Sequence, residues 1–387
     1  MKKNLFIVFL IPALLTKGQL VKNTSKIIFS SGVSSTGWMN FEFYNDNRIF
    51  IPAKINGQET LITLANGAST SVDKEFAAAI GLRPVASAMP EGAVAVQIQF
   101  ANLTMTDIKA STVNLAPFSK SIGHPVSFVL GDDLFNQLAV DIDFAHHRIA
   151  FRNPASLTIP AGAAKVPLIR TLDHRTVPVS VEGSSSAQFE LGLGNSAPLL
   201  LYQAFYQAHK LLDNRPTSLR QGGGGAGPFP IEPVASMSRA RFAGIDFLQL
   251  PAAFIPDSIR GSNSDLIAGN IGIVVLSRFR LIVDYSHDML YAAPYAAAGN
   301  IPFVKDRLGM VFIKDDSGLE VKFVSPGSPA KAAGFKIGDR ITQINQKSVQ
   351  TWLDSEIPNL RYAAPGTTYI FTMDDGSTRR VRLVDFF

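Results

Sequence analysis

The run IPAKINGQETLITLANGAS, starting at Ile51, has a counterpart at Val177, VPVSVEGSSSAQFELGLGNS. In each, an apolar residue and a proline lead through a hairpin glycine (Gly57, Gly183) to an apolar strand and then a glycine-containing loop. The far ends match as well: FVLGDDLFNQLAVDIDF, Phe128 to Phe144, parallels LIAGNIGIVVLSRFRLIVDY, Leu266 to Tyr285. Each carries an apolar-apolar-Gly element, a short helix and a strand closing on Asp and an aromatic residue. Two matched pairs in the same order mark a duplication. The chain is therefore expected to build two similar lobes, about residues 38 to 160 and 165 to 300.

Short runs of Val, Ile, Phe and Leu are broken by Gly, Pro, Asn or Asp roughly every ten residues, which is the pattern of a mostly β chain. Arg48 to Leu64 reads as a hairpin, because Asn56-Gly57 supplies the positive φ angles of a tight turn. Asp73 to Leu82 reads as a short helix stopped by Gly81. From Met310 to Leu383 the character changes: VKFVSPGSPAKAAGFKIGDRITQINQKSV is a dense turn-and-helix pattern, expected to form a third, α+β domain over residues 305 to 387. The glycine run GGGGAG, Gly222 to Gly227, has no following Lys-Ser or Lys-Thr, so it reads as a connection and not as a phosphate cradle.

Of 387 residues, 46% are apolar and 17% charged, a balance that excludes disorder as a description of the whole chain. The net charge of +5 is scattered, with no basic block, so no nucleic-acid partner is expected. Cysteine is absent, which excludes disulfides, a zinc-thiolate cluster and a thiol nucleophile. His146 and His147 are neighbours, point to opposite faces if extended, and read as a surface turn. With no ligand motif in view, no metal or cofactor is expected. Lys2 and Lys3 ahead of the apolar run Leu5 to Leu15 fit a secretory signal over residues 1 to 19, although TKGQ lacks a clear small-x-small cleavage site. The run is too short to span a bilayer, which takes about 20 residues. The protein is expected in the periplasm or outside the cell, with no integral membrane segment.

The order of hairpin, apolar strand, Gly-Ala-Ser loop, small helix ending in Gly-Leu and later apolar-apolar-Gly resembles the retropepsin-like aspartic peptidases of the bacterial exported type. The resemblance covers most of residues 45 to 300 and implies two pepsin-like or retropepsin-like lobes. In that family the loop reads Asp-Thr-Gly, and two such loops face each other. Here the first is Ala65-Asn66-Gly67 and the second Gly192-Leu193-Gly194. The family's chemistry needs two facing carboxylates sharing one proton, one acting as base toward water and the other polarising the scissile carbonyl. A methyl and a hydrogen do neither, and the Asn66 amide does not exchange protons near neutral pH. The expected role is a pseudopeptidase that holds extended peptide in the cleft between the lobes without cutting it.

Other acids give weak substitutes. Glu190 shares a strand face with Gly192 but reads as a solvated strand residue. Glu59 and Asp73 fall on the hairpin and the helix start, outside the loop. Asp143 and Asp284 match across the repeat and read as turn residues. Ser71 and Lys74 have Ser-x-x-Lys spacing, for which helix N-capping by Ser71 is the better account. Two alternatives stay open: an active aspartic endopeptidase with non-standard or partner-supplied carboxylates, and an adaptor whose lobes are scaffold.

The SPGSPAKAAGFKIGDRITQIN run is similar to a bacterial PDZ domain. That resemblance implies binding of a peptide or protein C-terminus by strand addition, with the carboxylate received on loop amides. Leu308, Gly309 and Met310 would form that loop, Val311 to Ile313 the receiving strand. A helix after Val349, with Trp352, Leu353 and Ile357 on its apolar face, would wall the groove, although Pro358 interrupts it.

Overall fold

The computed structural model describes residues 25–85, 92–221, 230–260, 266–353 and 356–387. The expected signal and the glycine run Gly222 to Gly227 lie outside the described residues. Two eight-stranded sheets, one per lobe, flank a six-stranded sheet between them, and a further six-stranded sheet forms the C-terminal unit.

The duplication is realised in the strands that carry the loops. The hairpin Arg48–Ile55 and Gln58–Leu64 turns at Asn56 (φ 48°) and Gly57 (φ 87°), and its partner is His174–Val181 and Ala187–Gly192. In the first lobe Leu64 pairs in parallel with Leu130, and in the second Gly192 pairs in parallel with Gly272. This register corrects the sequence alignment: the counterpart of Gly131 is Gly272, three residues beyond the Gly of Leu266 to Gly269. The reason is steric. A Cβ on Gly131 would stand 2.0 Å from the Ala68 carbonyl, and one on Gly272 1.8 Å from that of Ala197, so each loop turns against a residue without a side chain. Short helices follow at Asp132–Phe135 and Ile273–Leu276.

Those helices lead into the strands Ala139–Asp143 and Phe279–Asp284, which pair antiparallel at the centre of the middle sheet, Val140 against Val283 and Ile142 against Leu281. Buried Asp141 accepts from Arg280 across the lobes (3.0 and 3.1 Å) and from Arg152 (2.9 Å). One continuous hydrophobic cluster runs through both lobes, from Phe41 to Phe303. Asp143 and Asp284 do close turns: each meets the histidine three residues on, His146 at 2.8 Å and His287 at 2.6 Å. Both carboxylates are nevertheless buried. His146 and His147 sit in an exposed 3-10 turn.

The helix Lys74–Ala79 forms where expected, with Gly81 at φ 71° after it. Its cap is Asp73, whose carboxylate accepts from the amides of Glu75 and Phe76, and not Ser71, which lies in the strand Ser71–Asp73 and donates to Ser69. A carboxylate directly at the N-cap serves the free amides better than a hydroxyl two residues earlier.

The C-terminal unit has its own core, including Leu308, Met310, Phe335 and Phe371. Its helix Pro329–Ala332 is capped by Ser328. The wall expected after Val349 is two 3-10 turns, Val349–Thr351 and Ile357–Tyr362. Ile357 is buried, whereas Leu353 is exposed; Pro358, with no amide to donate, fits the first turn of the second segment. Among the described residues no helix is long and apolar enough to cross a membrane.

Candidate functional site

The two loops end equivalent strands and touch. A Cβ built on Gly194 would lie 3.0 Å from the Ala65 methyl. Each loop closes on itself identically: Ala68 N donates to Ala65 O and Asn195 N to Gly192 O, both at 3.2 Å. The helix amide that follows is tied back in the same way, Asp132 N to Ala68 O and Ile273 N to Asn195 O.

Asn66 bridges the lobes. Its Nδ2 donates to Leu191 O (2.5 Å) and to the Tyr285 hydroxyl (3.2 Å), and its Oδ1 accepts from Leu193 N (2.7 Å). Leu193 itself is buried. Gly67 N donates to Asp132 Oδ1 at 2.7 Å. Burial raises the pKa of Asp132, with Asp133 adding to the rise, while the Gly67 amide, His174 and Arg175 pull the other way. Burial likewise raises the Tyr285 phenol, which stays neutral.

Glu190 corrects a sequence expectation. Its side chain is only 12% exposed and accepts from the Tyr202 hydroxyl (2.8 Å) and Asn270 Nδ2 (3.1 Å), with His174 at 3.9 Å. Alternation placed it on the Gly192 face, but there Asn270, its register partner on the neighbouring parallel strand Gly269–Gly272, and Tyr202 reach it, so the carboxylate is held by polar side chains instead of water. Asn270 also fills the space beside Gly192, where a Cβ would meet its Oδ1 at 2.1 Å. A side chain at 192, an aspartate included, has no room beside Asn270 as it stands.

Gly194 O accepts instead from Arg48 (3.4 Å), whose guanidinium also approaches Ser196 Oγ (3.5 Å) and lies 4.8 Å from the Phe118 ring. Burial lowers the Arg48 pKa to about 10. Arg48 borders a cavity of about 1740 Å³ between the lobes and the C-terminal unit. Of the second loop, Asn195 and Ser196 line it; on the far side stand Val311, Phe312, Ile313 and Lys314.

In the C-terminal unit Leu308 and Met310 point into the core. The Leu308 and Gly309 amides both donate to Asp306 Oδ1 (3.0 and 2.8 Å), and the Phe386 ring stands 3.1 Å from a Cβ built on Gly309. Among the described residues the strand Met310–Asp315, which includes Val311, pairs only with Gly318–Val324 and forms one end of its sheet. Asp306 two and three residues ahead of those amides is an Asx turn, a signal the sequence carried. Nothing local marked Arg48, whose partners lie 146 and 148 residues away.

Residues 304–361 match the PDZ domain family. The C-terminal unit is thus a PDZ domain, a class whose partners are peptides. No curated protein matches the chain in sequence. Among solved structures, the aspartic proteinase from Irpex lacteus is similar, with 11% identity and a TM-score of 0.41 over 69% of this chain and 100% of that one.

Proposed function

We propose that this is an exported peptide-binding protein that holds extended polypeptide at its PDZ domain, in the cavity facing the lobes, without hydrolysing it. The observation that carries the reading is what meets where the loops touch: the Ala65 methyl, the hydrogens of Gly192 and Gly194, and an Asn66 amide fully engaged in joining the lobes. In the retropepsin-like peptidases that the lobes resemble in sequence, this place carries two aspartates. Here the nearby carboxylates are committed elsewhere, Asp132 to the Gly67 amide and Glu190 to Tyr202 and Asn270. Neither is set to share a proton across the loops, which the water-activating dyad requires. The shared cavity also gives the lobes a face toward whatever the PDZ strand receives, which favours this reading over a scaffold role. Export rests on Lys2, Lys3 and the apolar run that follows.

The test is to incubate the full chain with an unfolded protein substrate between acidic and neutral pH, with and without pepstatin. No cleavage is expected at any pH; pepstatin-sensitive products would establish the active endopeptidase instead.

A further inference from the structure

We propose that the cavity takes an internal, extended segment of polypeptide bearing an acidic side chain, its backbone adding to the strand Met310–Asp315 and its carboxylate received by Arg48 of the first lobe. The proposal rests on the peptide-binding reading and names the chemistry of the ligand.

The loop that would take a free C-terminal carboxylate is already supplied with one. Asp306 Oδ1 accepts from both Leu308 N and Gly309 N, its other oxygen lies 3.5 Å from Arg361, and Phe386 stands against Gly309. A ligand terminus arriving there would face a like charge and find its donors taken. The strand beyond it is more open. Among the described residues it pairs with one strand only, and after a register shift between Val311 and Phe312 it runs regularly to Asp315; side chains meet its two ends, Arg361 donating to Met310 O and Gln350 to Asp315 O, both at 2.8 Å. An edge of unpaired amides and carbonyls is a template for a passing strand. The cavity exceeds the ~300–1,000 Å³ usual for a small-molecule site, which suits a polymer.

Charge selects the side chain. Arg48 faces only neutral acceptors, at 3.4 and 3.5 Å, and among the described residues it makes no ion pair. A guanidinium withdrawn from water without a counter-charge is costly, and an incoming carboxylate relieves that cost with two parallel hydrogen bonds. The rest of the lining agrees, with seven Lys and Arg side chains against four of Asp and Glu. Arg48 is also placed next to the PDZ groove: the turn just before it holds Asn45, whose Oδ1 accepts from Asn359 in the 3-10 turn Ile357–Tyr362 (3.1 Å).

Fluorescence anisotropy on the full chain tests this with three labelled nine-residue peptides of alternating Thr and Val. One is blocked at both ends with a central Glu, one is its Gln twin, and one is the Gln twin with a free C-terminal carboxylate. The Glu peptide is expected to bind about tenfold tighter than the Gln twin, the size of a charge-assisted hydrogen-bond pair. Arg48→Gln should abolish that difference and Arg48→Lys should keep part of it, while the free carboxylate adds less than about twofold. Equal binding of the Glu and Gln peptides overturns the role of Arg48 while leaving peptide binding intact. A tenfold gain from the free terminus overturns the internal mode. Binding of none of the three removes the peptide-binding reading itself.

Discussion

At position 66 the first lobe carries an amide where the second, at Leu193, carries a buried isobutyl group; at 132 it carries a carboxylate where the second has Ile273. The main chain around both pairs is the same, down to the matched 3.2 Å loop closures. The lobes are therefore copies in backbone and complements in side chain. The first supplies both a donor and an acceptor for the hydrogen bonds that join the loops, through Asn66, and the second meets them with its Leu191 carbonyl and Leu193 amide. Duplicated halves need not divide a task evenly once each has a fixed partner.

The comparison is sharpened first on its apolar side. Leu193→Ala leaves a cavity in a packed interface and should cost about 3 kcal/mol in denaturant unfolding, in the usual range for a buried leucine. A change near zero would mean that the second loop is not packed as a core element. Asn66→Ala strands the Leu193 amide and the Leu191 carbonyl between the lobes, and a loss of about 2 kcal/mol is expected. Asn66→Asp is the more discriminating variant, because it still accepts from Leu193 N but presents an oxygen to Leu191 O; equal stability of Asp and Asn there would break the bridging role.

Gly192→Ala should cost about 1.5 kcal/mol by overpacking against Asn270, and Asn270→Ala should recover most of it. An additive double variant would show that Asn270 is not what keeps position 192 bare. The smallest effects are pH-dependent and of opposite sign in two acids. Burial would raise the Asp143 carboxyl, but hydrogen bonds from His146, Tyr295 and Arg148 prevail and its pKa is lowered. Its contribution is present above the ordinary carboxylate range and lost as pH falls through the lowered folded value. Asp132, raised mainly by burial, contributes below the ordinary range and loses that contribution as pH rises through its folded value. Melting curves across pH should thus show Asp143→Asn flattening the acid side of the profile. Asp132→Asn, which still accepts from Gly67 N, should raise stability at neutral pH; a fall there would contradict the burial account.

What the sequence made legible was local. The Asn56-Gly57 hairpin, the helix after Asp73, the repeat and the PDZ unit each announce themselves within a few residues or by self-similarity. What it hid was set by distance along the chain. Asn66 finds partners 125 to 219 residues away, and Glu190 accepts from Asn270, 80 residues on. The three-residue offset between Gly269 and Gly272 as the counterpart of Gly131 is similar in kind, since composition matched the first of these glycines while packing against the loop selects the second. The degenerate loops were found by resemblance, but how Asn66 uses them depends on a partner lobe that no local pattern displays.

The two central strands, Ala139–Asp143 and Phe279–Asp284, knit the lobes into one ladder. Halves sewn together through their main chains cannot swing apart like a hinged jaw without tearing those bonds. The junction with the C-terminal unit, beside the cavity that Arg48 borders, is instead held by side-chain contacts such as Asn45 with Asn359 and Ser218 with Pro326. That seam shares no strand pairing with the lobes among the described residues, so it can loosen without unzipping a ladder.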